Sequence, residues 1–332
     1  MEICRSINVI DTHTECDLCR IVVGGIPYIP GKTMMEKRNY FSQHLDDIRK
    51  FVIQEPRGHR DMFGAVLTDP VEEGSDFGIF FIDASGFMDL CGHGLMAAAN
   101  VSTTFGFIAQ KGKGILGIDT TAGTVQARIN FDRGKVKDVT IKSVPSFMYE
   151  KNVAVKTSVG ALNADISFSG NFFAFLQARQ AGVELSPANI PAFVKLGMEV
   201  KNELNKSLKI AHPEFPHMDK IEIVEFFDKP NHPEARERNV LIYGEGLVGR
   251  DPCGTGTCAK MATEVAKGKL GINEEYVGEG ILGTIYRGRA VERAKVGKYD
   301  AIIPEITGRT FVVGFSNFVL DERDPMPNGW LL

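Results

Sequence analysis

Two cysteines occur in nearly the same sequence setting, Cys91-Gly92-His93-Gly94 and Cys253-Gly254-Thr255-Gly256, 162 positions apart in a chain of 332 residues. Each is followed by small and apolar residues that read as a helix, Leu95–Ala99 after the first and Cys258–Ala266 after the second. A Cys-Gly-x-Gly turn repeated at close to half the chain length constrains the fold strongly. It predicts two similar domains, each presenting one thiol at the start of a helix. The chain is also longer than one hydrophobic core usually supports, which points the same way.

Short β-rich runs dominate both halves. Ser6–Ile10, Arg20–Val23, Met62–Leu67, Gly78–Ile82 and Thr124–Phe131 read as strands in the first half. Asp165–Phe168, Phe172–Leu176, Lys220–Phe226, Val240–Tyr243, Ala301–Ile303 and Phe311–Phe315 do so in the second. Apolar residues recur at helical spacing over Glu36–Gln54 and Ile190–Leu208. Runs of strands with isolated helices predict an α+β fold. The domain boundary is expected near Ala122–Thr124 or in the polar stretch Asp132–Lys137.

The glycines of the two turns allow a tight bend and close approach of a ligand. A helix beginning there offers unpaired N–H groups and a partial positive charge, suited to a carboxylate. The same dipole lowers the pKa of a thiol from its reference of about 8.5 and favours a reactive thiolate. If two such helix ends converge on one cleft, they hold a single carboxylate and set two sulfurs on opposite faces of the adjacent Cα. A thiolate on one face removes the proton, a thiol on the other returns one, and the configuration inverts. A transition state of carbanion character is then stabilised by backbone N–H groups. No cofactor and no metal are expected.

Other signals carry less. The formal charge of −4, with both signs interspersed, leaves no footprint for nucleic acid. No apolar run reaches the roughly 20 residues that span a bilayer, and Met1–Asp11 lacks an export pattern. Six cysteines are too few for a disulfide scaffold, so a reducing cytoplasm is the expected compartment. Cys16-x-x-Cys19 near His13 lacks a second ligand pair for zinc. Cys258 reads as a packing residue. Gly244–Gly249 fits a dinucleotide fingerprint, but Pro252 and a second turn replace the helix that should follow. Gly254–Lys260 lacks the final spacing of a phosphate loop. Arg57 and His59 read as structural hydrogen-bonding residues, and His212, His217 and His232, in proline-containing loops, as solvated.

The paired turns resemble those of the proline racemase family, which has the diaminopimelate epimerase-like fold. That family carries Cys-Gly-His-Gly in one half and Pro-Cys-Gly-Thr-Gly-Thr in the other, as at Cys91–Gly94 and Pro252–Thr257. Further matching segments are Ile10–Thr14, Arg20–Pro27, Glu55–His59, Asp61–Gly64, Ile281–Thr284 and Ile306–Gly308. His93 favours this family over diaminopimelate epimerase, whose first turn typically has Asn there. The resemblance implies two pseudo-symmetric domains, each a mostly antiparallel sheet wrapped around a central helix, with the active site in the cleft between them. The domains are expected at 1–128 with 315–332, and at 129–314.

By the same resemblance Cys91 and Cys253 are the acid/base pair, and the amides of Gly92, His93, Gly254 and Thr255 hold the substrate carboxylate. Phe63 and Tyr243 fall where the family walls in the substrate ring. Related 3-hydroxyproline dehydratases commonly replace the second cysteine with Thr, so Cys253 argues for a racemase or epimerase. Three segments depart from the family pattern. Gly249-Arg250-Asp251 stands for Asp-Arg-Ser, so Asp251 is the candidate to meet the substrate amine. Leu95-Met96-Ala97 stands for Thr-Ile-Gly, and Glu15–Cys19 for a stretch reading Ala-Gly-Glu-x-Thr. The expectation is a cofactor-independent proline racemase, homodimeric as the family suggests, with no nucleic-acid or membrane partner. The alternatives are a 4-hydroxyproline 2-epimerase or a racemase of another imino or amino acid, then a 3-hydroxyproline dehydratase or a non-catalytic ligand-binding homologue.

Overall fold

Alternation along the strands decides which face meets a core. In the run Gly123–Asp132, Val125, Ala127 and Ile129 point inward while Gln126 and Arg128 do not. Such half-buried strands need a covering layer, and in each half one central helix supplies part of it. The computed structural model describes residues 2–107 and 114–331. Positions 1, 108–113 and 332, all within the expected first domain, lie outside the described residues.

The strands are β1 (Ile3–Thr14), β2 (Asp17–Gly24), β3 (Phe63–Thr68), β4 (Phe77–Asp83), β5 (Phe87–Met88), β6 (Ile115–Thr120), β7 (Gly123–Asp132), β8 (Lys135–Lys142) and β9 (Ser146–Thr157). They continue as β10 (Gly160–Phe168), β11 (Phe172–Gln177), β12 (Ile221–Asp228), β13 (Glu237–Tyr243), β14 (Leu247–Gly249), β15 (Glu275–Gly280), β16 (Ile285–Val296), β17 (Tyr299–Gly308) and β18 (Thr310–Asp321). The helices are α1 (Met34–His44), α2 (Asp46–Ile53), α3 (Gly92–Thr104), α4 (Ile190–Ser207) and α5 (Gly254–Ala266).

The chain divides into two compact units, one of residues 1–14, 18–139 and 309–332, the other of 15–17 and 140–308. Residues 129–139 and 309–314, expected in the second domain, group with the first. The reason is strand continuity: β7 runs unbroken to Asp132, and β18 begins at Thr310. Residues 15–17, expected in the first domain, group with the second.

In the first unit β18 and β1 pair antiparallel, β2 and β3 parallel, β3 and β4 antiparallel, β4 and β6 parallel, and β6 and β7 antiparallel. The second unit repeats this sequence of pairings. There β9 and β10 are antiparallel, β11 and β12 parallel, β12 and β13 antiparallel, β13 and β15 parallel, and β15 and β16 antiparallel. β17 then pairs with both β16 and β9, closing the second unit into a barrel. Each unit is mostly antiparallel around one helix, as expected. α3 packs on β1, β3, β7 and β18, and α5 on β9, β10, β16 and β17. Both are buried nearly all round, which explains why their sequences lack a polar face.

The duplication extends to the loops. Asp119 on β6 accepts the N–H groups of Val71 and Glu72 at 2.8 and 2.9 Å. Glu279 on β15 accepts those of Asn231 and His232 at 2.6 and 2.8 Å. In both units a carboxylate thus pins the connection that precedes the central strand.

His212 is a correction. It is not solvated but buried against Phe147, Phe168 and Phe215, its Nδ1 accepting the N–H groups of Glu214 and Phe215. Burial pushes its pKa down to about 4. Cys258 is buried, consistent with packing, and Gly244–Gly246 forms the turn into β14 rather than a helix.

Candidate active site

Both central helices begin earlier than their apolar runs suggest, directly after the cysteines, because the thiols themselves cap them. Cys91 has extended backbone (φ −142°, ψ 117°), and its Sγ accepts the Gly94 N–H at 3.3 Å. Cys253 Sγ accepts the Gly256 N–H at 3.1 Å. Each sulfur fills the N-cap role usually taken by a hydroxyl or carboxylate. Gly92 and His93, like Gly254 and Thr255, occupy the first two helical positions, whose N–H groups have no acceptor within their own helix.

Around Cys91 the surroundings are aromatic. His93 Nδ1 lies 3.2 Å from the sulfur, and the Thr14 hydroxyl donates to the His93 carbonyl at 3.2 Å. The Phe63 ring is 4.7 Å from the imidazole and 6.0 Å from the ring of Phe81. A Cβ on Gly94 would come within 2.7 Å of that Phe81 ring, so only glycine lets the helix end settle there.

Around Cys253 the surroundings are carboxylates. Cys253 itself has φ 59°, a left-handed conformation that costs a non-glycine residue about 1–3 kcal/mol. The neighbours hold it there. The Asn239 amide and the Thr257 hydroxyl both donate to the Pro252 carbonyl, at 2.9 and 3.1 Å. One Asp251 oxygen accepts the Cys253 N–H at 3.1 Å, and the other accepts the Tyr286 hydroxyl at 2.6 Å. Thr255 Oγ1 stands 3.7 Å from the sulfur.

Burial and the nearby Asp17 carboxylate drive Asp251 well above the usual carboxylate range. Asp17 in turn accepts the Arg250 N–H at 3.3 Å. Burial, then Asp251 and Glu225, drive the Cys253 thiol well above its ordinary value. The helix dipole pulls the other way but is worth only about 0.3–2 kcal/mol, so at Cys253 burial and acidic neighbours win.

Tyr243 is buried at the end of β13, opposite Ile223 on β12 and Leu247 on β14. At Gly249 a Cβ would come within 2.7 Å of Leu241 Cδ1. Asp17, Glu225, Lys260 and Tyr286 also belong to this region, and sequence reasoning does not single them out. The available signal is Glu225 itself, an acid inside the apolar run Ile221–Phe227, and Lys260 within a helix that is otherwise buried.

The proline racemase family pattern matches residues 9–331. The chain is 43% identical over 335 residues to a proline racemase of Acetoanaerobium sticklandii, covering 99% of each chain. It is 42% identical over 334 residues to a proline racemase of Clostridioides difficile, covering 100% of each. Among solved structures it resembles a hydroxyproline epimerase of Agrobacterium vitis with bound trans-4-hydroxy-L-proline. That match has a TM-score of 0.92 and 28% identity, over 100% of this chain and 97% of the other.

Proposed function

The chain belongs to the proline racemase family, and we propose that it interconverts L- and D-proline by a two-thiol mechanism without a cofactor. The observation that carries this reading is the duplication of a thiol-capped helix end in two units of the same topology. The N–H groups of Gly92, His93, Gly254 and Thr255 take the substrate carboxylate, as helix N-termini take anions. One cysteine, as thiolate, removes the Cα proton. The other, as thiol, delivers a proton to the opposite face. Charge that builds on the carboxylate in the transition state is met by fixed N–H dipoles, which need no reorganisation. Asp251, beside Asp17, meets the substrate amine in place of the acid absent at Gly249. A cation next to those two carboxylates relieves the repulsion that otherwise favours their neutral forms. Phe63 and Tyr243 enclose the ring.

Replacing Cys91→Ser or Cys253→Ser should each lower racemisation by at least about 10²–10⁴-fold, the usual worth of a general acid or base. Racemisation at the wild-type rate by either variant would refute the two-thiol assignment. In deuterated water, wild type should incorporate one deuterium at Cα for each inversion.

A second reading, 4-hydroxyproline 2-epimerisation, is favoured by the Tyr243 hydroxyl and by the ligand of the Agrobacterium vitis protein. Polarimetry on proline against trans-4-hydroxy-L-proline separates the two. The higher identity to proteins named proline racemase favours proline.

A homodimer and a reducing cytoplasm belong to the same proposal. Along β18, Phe311, Val313, Phe315 and Val319 leave an exposed apolar row on the first unit, a surface suited to a second copy. All six cysteines are free thiols, as the chemistry requires of Cys91 and Cys253. Among the described residues no helix is long and apolar enough to cross a membrane.

A further inference from the structure

Glu225 on β12 is completely shielded from solvent, and neither of its carboxylate oxygens accepts a well-formed hydrogen bond. A lone ion in that position is costly, and such a group tends to take up a proton instead. Its Oε2 lies 2.5 Å from the point that a Cβ on Gly256 would occupy, and the Cys253 sulfur lies 2.9 Å from the same point. Oxygen and sulfur therefore border one glycine-sized gap, inside the roughly 4–6 Å over which like charges couple strongly.

The groups that face Glu225 come from every element packed round it. Glu237 on β13 and Asp251 ahead of the turn add negative charge, while Lys260 on α5 and the Asn239 amide oppose it. The Tyr276 hydroxyl on β15 is a further titratable neighbour. Lys260 is already engaged, by Glu237 at 3.0 Å and by the ring of Phe227 at 3.0 Å from its centre. Burial and Glu237 prevail, and the Glu225 carboxyl is driven well above its usual range.

We propose that Glu225 and Cys253 form one coupled acid pair, with Glu225 the positioning residue whose charge decides which protonation state Cys253 holds. This deepens the two-thiol reading and rests on it. Loss of one proton from the pair gives two forms, thiol with carboxylate and thiolate with carboxylic acid. They hold the same number of protons and the same charge, so passage between them requires no other reactant. The doubly anionic form is excluded by repulsion in a poorly solvated site, and the pair titrates as a unit. Cys253 can thus donate as a thiol while Glu225 is charged, and persist as a thiolate while Glu225 is neutral. In the first unit the uncharged ring of Phe81 occupies the corresponding place beneath Gly94.

The test uses Glu225→Gln, which keeps the shape and removes the charge. Iodoacetamide alkylation of Cys91 and Cys253 is followed separately by peptide mass spectrometry from neutral to alkaline pH. The variant should lower the Cys253 midpoint by about one pH unit, making its alkylation about tenfold faster below that midpoint. The Cys91 profile should stay in place. An unmoved Cys253 profile, or equal movement of both, overturns the proposal.

Should the Glu225→Gln variant fail to fold, infrared difference spectra of the wild-type protein decide. The C=O stretch of a buried neutral carboxyl should change when Cys253 alone is alkylated; an unchanged band overturns the pairing. Neither readout needs turnover. A chain that racemises nothing, or whose Cys→Ser variants still racemise, would fail the two-thiol reading while leaving these results interpretable.

Discussion

The two thiol-bearing turns share a sequence, a capping hydrogen bond and a surrounding topology, yet each unit sets different side chains around its own turn. Cys91 stands on relaxed backbone beside an imidazole and two phenyl rings. Cys253 stands on left-handed backbone among Asp251, Asp17 and Glu225, with Tyr286 and Asn239 holding the turn. In the proposed mechanism, inverting a stereocentre needs one sulfur as thiolate and one as thiol at any moment. Two identical turns would leave that choice to chance. At Cys253 burial, then Asp251 and Glu225, raise the proton affinity of the thiol. Fold duplication supplies two equivalent positions, and divergence of the side chains beneath them makes the positions unequal.

The two glycines at the third helical position probe that contrast most severely. At Gly256 an added Cβ meets the Glu225 oxygen and the Cys253 sulfur; at Gly94 it meets the edge of Phe81, with Cys91 Sγ farther off at 3.4 Å. Gly256→Ala should therefore displace the sulfur and lower kcat/KM by about 10²-fold, the cost of a roughly 1 Å misplacement. Gly94→Ala should act mainly as overpacking, costing about 1–3 kcal/mol of stability with a smaller loss of rate. Steady-state kinetics beside denaturant unfolding of both variants distinguishes these outcomes. Indistinguishable profiles would mean the two turns are equivalent after all.

Tyr286→Phe tests the acidic side alone. Its hydroxyl donates to Asp251 and favours the charged form, so its removal should cost about 1–3 kcal/mol. The sign with pH follows from linkage. Asp251 is driven up in the folded state, so its stabilising effect is present at low pH and is lost as pH rises through the folded value. Losing the hydroxyl raises that value further, and the deficit of the variant should grow towards alkaline pH. Urea midpoints at acidic and alkaline pH check this; a deficit independent of pH would assign Tyr286 a packing role only.

Much of the architecture is legible in the chain because alternation and capping are local. The thiol turns, β7, β11, β12 and the α4 helix follow directly from residue pattern. The run Glu36–Gln54 reads as one helix but breaks into α1 and α2, because Leu45 leaves helical geometry (φ −134°, ψ 16°). The strand β16 escapes pattern reading since its inward positions include Gly288 and Ala290, too small to mark a buried face, while Arg287, Arg289 and Arg293 dominate the other. Gly288 is required there: a Cβ would lie 2.8 Å from Met261 Cε on the central helix. In the site, the thiols are legible and the acids around Cys253 are not. Asp17, Glu225 and Tyr286 meet that turn only through tertiary folding, across sequence separations that no local pattern encodes.

The duplicated loop carboxylates give a smaller, cleaner comparison. Asp119 serves Val71, Glu72, Ser75 and Thr124, whereas Glu279 serves Asn231 and His232. Asp119→Asn should cost about 2 kcal/mol and Glu279→Gln about 1, since each loses charge-assisted bonds to two N–H groups and Asp119 also loses those to the Ser75 and Thr124 hydroxyls. Equal costs would show that the number of bonds does not set the strength of the clamp.

The last comparison concerns acid pH and should separate the units again. His212 takes up its proton at about 4 in the folded chain against 6.5 ordinarily, because its ring is buried among Phe147, Phe168 and Phe215. A depressed histidine contributes stability above 6.5, and that contribution declines as pH falls towards 4, where the unfolded chain binds a proton that the folded chain refuses. Asp119 in the first unit is also held low, but its contribution is lost only below its ordinary value of 3.8. Between those limits hydrogen exchange should therefore quicken in β9 and β10, which pack near His212, before it quickens in β6 and β7. His212→Asn keeps an acceptor for the Glu214 and Phe215 N–H groups while removing the titrating ring, and should flatten the pH dependence in β9 and β10 alone. An unchanged slope would place the acid sensitivity of the second unit in its carboxylates rather than in this imidazole.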